Sequence, residues 1–347
     1  MDELAYAAVA AIPPSIDLDE IERAVRVQYG LVGQYAPLVS ERDQNLHLRA
    51  STGDEYVAKI SSAAESGIVS DFQVAALLHV ESLVEPGVPR VVRTRDGKTA
   101  AHVTSDGIRY KLRLVTYLPG PQLSTTRLNR RLALDFGRQL ARLDVELQSF
   151  SHPGDQPKLL WDLQKAGQLR GLVSHIDDST ARDGVEQALD DFDRVFASGL
   201  GEFRTQVIHG DANPGNVIVH SSGTSVSGFI DFGDMVRAPR VCEPAIAAAY
   251  LRGEEADPLE WIAAFIAGYS RVAPLLECEQ ALLFDLVRAR LAATITLLFW
   301  RLGARSPDDP YREQTLREEA DAIRFLAVLD RLGRASFLEQ IVAAIPQ

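Results

Sequence analysis

The chain has 347 residues, enough for two lobes with a sizeable core. It is 46% apolar and 24% charged, as soluble globular proteins are, and its formal net charge is −12. That balance argues against nucleic acid or an anionic membrane as a partner and is compatible with a cationic small substrate. Two cysteines, Cys242 and Cys278, stand outside any metal-ligand spacing and cannot build a disulfide framework, so the cytoplasm is the expected compartment. The first residues lack the positive start of a signal peptide. No apolar run approaches a membrane span, and residues 291–300 read as a buried helix.

Residues 15–29 read as a first helix, capped by Ser15 or Asp17, with Ile21, Val25 and Tyr29 at helical spacing. Strands are expected at 32–38, 45–49 and 55–60. The turn Ser40-Glu41-Arg42-Asp43-Gln44 offers a hydroxyl, backbone N–H groups and a guanidinium to phosphate oxygens, and a plain polar turn fits the same residues. Lys59 interrupts the apolar strand Tyr56-Val57-Ala58-Lys59-Ile60, and lysine is rarely buried without a partner. A helix follows at 71–80. Strands at 88–93, 98–103 and 108–118 continue the sheet through hairpin turns at Asp96-Gly97 and Asp106-Gly107. Pro119-Gly120 then marks the boundary between lobes.

From Thr125 the pattern turns helical. Leu128, Leu132, Phe136, Leu140 and Leu143 form one stripe of a long helix that His152-Pro153 closes off. Two more helices are expected at 159–172, opened by Trp161-Asp162, and at 179–198. The run QVIHGDANPGNVIVHSSGTSVSGFIDFGD, residues 206–234, interrupts them. Its short β-branched runs, bounded by Gly, Pro and Asn, read as strands around tight turns. Helices resume at 243–250, 258–269, 279–301, 311–332 and 336–344. Arg288 and Arg290, on the long apolar helix, are expected to snorkel or pair with acids. A β-rich start followed by a helical remainder is an α+β layout.

The 206–234 run concentrates the chemistry. Asp211 and Asn216 flank Pro214-Gly215, and Asp231 ends the next strand. Phosphoryl transfer needs a carboxylate to orient the acceptor hydroxyl and take its proton. It also needs hard oxygen ligands to hold magnesium on the phosphates. H-G-D-x4-N followed by I-D-F-G-D resembles the aminoglycoside phosphotransferase and choline kinase superfamily, the small-molecule branch of the kinase fold. The resemblance implies a two-lobed protein-kinase-like fold, with a β-rich N-lobe at 1–118 for nucleotide and a helical C-lobe at 119–347 for catalysis and acceptor. It implies Asp211 as the catalytic acid/base, Asn216 and Asp231 as Mg²⁺ ligands, and His209 as a structural residue. Lys59 matches the lysine that contacts nucleotide phosphates. The glutamate expected to pair with it is replaced by Gln73, so Glu65 is the expected substitute. Thr116, Tyr117 and Leu118 lie at the hinge, where backbone binds the purine of ATP or GTP.

LVSERDQNLHL, YVAKI, PKLLWDL and VIHGDANPGNVIV look like the hydroxylysine kinase subgroup. The implied reaction moves a γ-phosphoryl group to the hydroxyl of a small amino alcohol or hydroxy amino acid. An antibiotic phosphotransferase, a choline- or homoserine-type kinase and a non-catalytic nucleotide-binding module are the other readings. A monomer or homodimer is expected. Asp234, Glu243 and Asp162, with Trp161, are the candidates for recognising a cationic acceptor, and helix capping is the plain alternative for each acid.

Overall fold

The computed structural model describes residues 13–345 apart from 39, 41, 63–64, 198–202 and 305–310. Glu41 of the expected phosphate-facing turn, and the N-terminal stretch read for a signal peptide up to residue 12, lie outside the described residues. The chain divides into two units. One runs to Pro119 and adds His152–Lys158; the other comprises Gly120–Ser151 and everything from Leu159 onward.

The first unit is an antiparallel sheet with two helices. Helix α1 (Leu18–Gln28) starts at Asp17, whose carboxylate accepts the Asp19 N–H. Strands β1 (Gly33–Leu38), β2 (Gln44–Ala50) and β3 (Glu55–Ile60) form a meander, and β6 (Ile108–Thr116) adds beside β3. Both β4 (Val91–Val92) and β5 (Ala101–Ser105) pair with β6. Alternation along the strands sends Leu46, Leu48, Ala58, Ile60, Leu112 and Leu114 to one face, where Ile21 and Val25 of α1 cover them. Helix α2 (Gly67–His79) starts four residues before the sequence reading, and His152 stacks on its Phe72 at 5.7 Å.

In the second unit, a 3₁₀ turn (Leu123–Thr125) precedes helix α3 (Arg130–Leu147), capped by the Asn129 side chain on Leu132 N–H. Residues 159–172, expected as an α-helix, instead lead into a 3₁₀ helix, Leu163–His175. Its buried Leu163, Ala166, Leu169 and Leu172 recur every third residue, the repeat that a 3₁₀ helix aligns on one face. Helix α4 (Ser179–Ala197) follows, then strands β7 (Thr205–Ile208), β8 (Val217–Val219), β9 (Val226–Phe229) and β10 (Val236–Pro239). These pair as two antiparallel ribbons, β10 with β7 and β8 with β9. Helices α5 (Cys242–Ala248), α6 (Glu260–Ser270), α7 (Glu277–Gln280), α8 (Leu283–Ala304) and α9 (Tyr311–Ala344) complete the unit. The single helix expected over 279–301 is therefore two: buried Glu279 caps the start of α7 by accepting the Leu276 N–H at 2.9 Å, and a tighter turn, Leu282 N–H to the Glu279 carbonyl at 3.1 Å, separates α7 from α8. Helix α9 is broken at Gly333 (φ 75°, ψ 160°).

Helices α3 and α6 meet at reciprocal glycines. A methyl on Gly137 would collide with the Phe265 carbonyl, and one on Gly268 with the Leu134 carbonyl. Backbone atoms cannot step aside as side chains can, so Gly268→Ala is expected to lower stability by about 2–3 kcal/mol. Urea unfolding measures this, and an unchanged midpoint would show that the helices part freely.

Candidate active site

Strand β7 ends by delivering His209, Gly210 and Asp211 into a tight loop. Gly210 sits at φ 76°, with the Asp234 carbonyl where a Cβ would go, so glycine is required there. Its N–H donates to Glu243 Oε2 at 2.9 Å. His209 is fully buried, receives the Asp211 N–H on Nδ1 at 3.3 Å and bonds the Ile230 carbonyl through Nε2 at 3.0 Å. The ring thereby ties the Asp211 loop to the residue before Asp231. Asn216 Nδ2 donates to Asp211 Oδ2 at 2.8 Å and to the Asp211 carbonyl at 2.9 Å. With its amide nitrogen so engaged, the Asn216 oxygen is the atom of this side chain that could serve a cation.

Ile230 N–H donates to the Asn216 carbonyl at 2.9 Å, which sets Asp231 beside that loop. Asp231 adopts φ 57° and ψ 75°, left-handed backbone that costs energy in a non-glycine residue. Two oxygen-bearing side chains suit a cation whose remaining ligands come from phosphates and water, the usual habit of Mg²⁺. Among the described residues no group of three or more His, Cys, Asp or Glu is arranged to cage a metal. Burial pushes the Asp211 carboxyl up to about 7 against the pull of the Arg290 guanidinium. The Asp234 charge adds to the rise, the Asn213 amide opposes it, and Asp231 adds a little more.

In the first unit, Lys59 on β3 stands directly opposite Arg113 on β6. Arg113 is buried, donating to Gln73 Oε1 at 2.7 Å and Ser61 Oγ at 2.9 Å, with the Glu65 carboxylate 3.9 Å away. Gln73 and Glu65, assigned from sequence to Lys59, thus both reach a second cation that the sequence reading missed. The clue was Arg113 between Leu112 and Leu114, in the buried part of a strand that also carries Arg109 and Lys111. Ser40 Oγ accepts the Asp43 N–H at 3.3 Å, so this turn is braced by its own hydroxyl. At the expected hinge, Thr116 N–H donates to the Arg90 carbonyl and Tyr117 N–H to the Glu55 carbonyl, both at 2.9 Å. These two donors are spent inside the sheet, which narrows the expected purine contact by an N–H to Leu118.

Residues 35–282 match the model of the phosphotransferase enzyme family. The chain belongs to this family. It is 30% identical over 295 residues to a hydroxylysine kinase from Mus musculus, an alignment covering 77% of each protein. Among solved structures, an amicoumacin kinase in complex with AMP-PNP, Ca²⁺ and Ami superposes with a TM-score of 0.68 at 17% identity, covering 94% of this chain and 97% of that one. A microcompartment-associated aminopropanol kinase gives 0.65 at 20% identity, covering 93% and 100%. The phosphotransferase is accordingly a small-molecule kinase with the kinase-like fold.

Two of the acids expected at the acceptor make structural contacts in the phosphotransferase. Glu243 is fully buried beside the His209–Asp211 loop and braces it by accepting the Gly210 N–H on Oε2. Asp162 is buried, caps the 3₁₀ helix through Gln164 N–H at 3.1 Å and pairs with Lys165 at 2.8 Å. Asp234, half-buried in the 3₁₀ turn Phe232–Asp234, interacts with Asp211. Trp161 carries the Arg290 guanidinium over its ring at 4.8 Å and that of Arg301 at 5.1 Å. Arg290 itself donates to Asp211 Oδ1 at 2.8 Å. The sequence offered Arg290 as an acid-pairing residue without saying which acid. Among the described residues no helix is long and apolar enough to cross a membrane.

Proposed function

We propose that this kinase transfers the γ-phosphoryl group of ATP or GTP to the hydroxyl of a small, ammonium-bearing amino alcohol or hydroxy amino acid of the hydroxylysine type. The observation that carries the reading is the bonded pair Asp211 and Asn216, with Asp231 set beside them by the His209 and Ile230 bridges. The similarity to a mouse hydroxylysine kinase supports the acceptor class, and the fold shared with an aminopropanol kinase is compatible with it. Asp211 orients the acceptor hydroxyl and takes its proton as the oxygen bonds the γ-phosphorus and the bond to the β-phosphate breaks, releasing nucleoside diphosphate. Asn216 and Asp231 would hold Mg²⁺, which neutralises phosphate charge when bound. In the first unit, Lys59 engages nucleotide phosphates, with Ser40 and Arg42 as further phosphate contacts. Leu118 is the backbone contact for the purine.

Asp234 is the acid assigned to the acceptor's ammonium, since it is half-buried while Glu243 and Asp162 are buried against their own structural contacts. A half-buried carboxylate rejects an acceptor that leaves it unpaired. A screen of amino alcohols, hydroxy amino acids and aminoglycosides with both nucleotides tests the reading. The amine acceptor should exceed its deaminated analogue by about 10²-fold or more in kcat/KM. Asp234→Asn should raise KM for the amine more than for nucleotide. Equal kcat/KM for amine and deaminated acceptor, or an uncharged sugar as best substrate, would rule this acceptor class out.

A further inference from the structure

Resting on that functional reading, we propose that Arg290 is a positioning residue that aims the Asp211 carboxylate and leaves one lone pair of Oδ1 to receive the acceptor's proton. A carboxylate has about four acceptor positions, two on each oxygen. On Asp211, Oδ2 takes the amides of Asn213 at 2.9 Å and Asn216 at 2.8 Å, both from its own loop. Oδ1 takes Arg290 Nη2 at 2.8 Å. One position on Oδ1 remains for the acceptor hydroxyl. The amides anchor one oxygen, and a carboxylate anchored on one oxygen still swings. The guanidinium fixes the other oxygen and with it the plane of the group.

Arg290 is held firmly enough to do this. It is 1% exposed, on α8, and its guanidinium lies 4.8 Å from the Trp161 ring centre and 5.7 Å from that of Tyr250. Nη1 donates to the Trp161 carbonyl at 3.3 Å, and Nη2 and Nε donate to the Tyr250 hydroxyl at 3.1 and 3.3 Å. A planar fork can serve carboxylate, carbonyl and hydroxyl at once between two rings, and an ammonium cannot. Full burial keeps Arg290 off the acceptor, so it acts through Asp211. Arg288, two residues earlier and 3% exposed, offers a built-in contrast. Its partners, Asp191 and Asp330, lie outside the site.

The test compares steady-state kinetics of the intact chain carrying Arg290→Lys, Arg290→Ala, Tyr250→Phe or Arg288→Lys with wild type, using the best amine acceptor. Arg290→Lys should lower kcat on the order of 10²-fold, with KM for nucleotide and acceptor little changed, because a misaimed base slows the step without weakening binding. Tyr250→Phe should lower the same parameter by less. Millimolar guanidinium chloride, but not sodium chloride, should restore part of the kcat of Arg290→Ala. Arg288→Lys should leave kcat unchanged even where thermal stability falls. Should Arg290→Ala fail to fold, the lysine and phenylalanine variants carry the comparison. Wild-type kcat in Arg290→Lys, or a loss no larger than that of Arg288→Lys, overturns the proposal alone. Absence of transfer by wild type to every acceptor screened would bring down the functional reading, and this proposal with it.

Discussion

Asp211→Asn is expected to lower phosphoryl transfer by about 10²–10⁴-fold while nucleotide binding survives. The substitution keeps the shape and removes the proton acceptor. It also sets an amide among three donors, Arg290, Asn213 and Asn216, which a carboxylate satisfies and an amide nitrogen cannot. Turnover and nucleotide affinity, measured side by side, separate loss of chemistry from loss of fold. Near-normal turnover would remove Asp211 from the mechanism. The same residue sets a pH dependence. With its carboxyl pushed up to about 7 by burial, the base is protonated below that pH and active above it, so kcat/KM should rise as pH passes through about 7. A bound divalent cation favours the ionised form, so raising Mg²⁺ should shift this limb to lower pH. A limb that stays in place in Asp211→Asn would assign it to another group.

Asp231→Ala is expected to cost about 10³-fold in turnover and to abolish metal-dependent nucleotide binding. A divalent cation on transferring phosphates supplies several kcal/mol of charge stabilisation, and each 1.4 kcal/mol is tenfold in rate. The position discriminates further, because its φ of 57° is left-handed. Asn tolerates that conformation better than Ala and retains one oxygen, so Asp231→Asn should fall between wild type and Asp231→Ala. Isothermal titration of nucleotide with and without Mg²⁺ reads the effect directly. Turnover unaffected by excess chelator would end the metal assignment for both Asn216 and Asp231.

Much of this molecule is written locally. The α1 stripe of Ile21 and Val25, the Asp17 cap, the strand 55–60 and the loop from His209 to Asn216 each follow from a few consecutive residues, because periodicity, capping and turn chemistry act over short range. The motif spacing likewise pointed to phosphoryl transfer, since Asp211 and Asn216 share one tight turn. What lay beyond local reading depends on partners far apart in the chain. Arg290 meets Asp211 across 79 positions, and Arg113 meets Gln73 across 40. An arginine between buried apolar neighbours announces that it needs a partner, not which one. The fates of Glu243 and Asp162 were undecided for the same reason. An acid at a helix start has the same sequence signature whether it faces an acceptor, caps a helix or, like Glu243, is buried against the Gly210 N–H. Only the packing of α5 against the His209–Asn216 loop makes Glu243 a brace for Gly210, and the proposal of Asp234 for the acceptor rests on that packing.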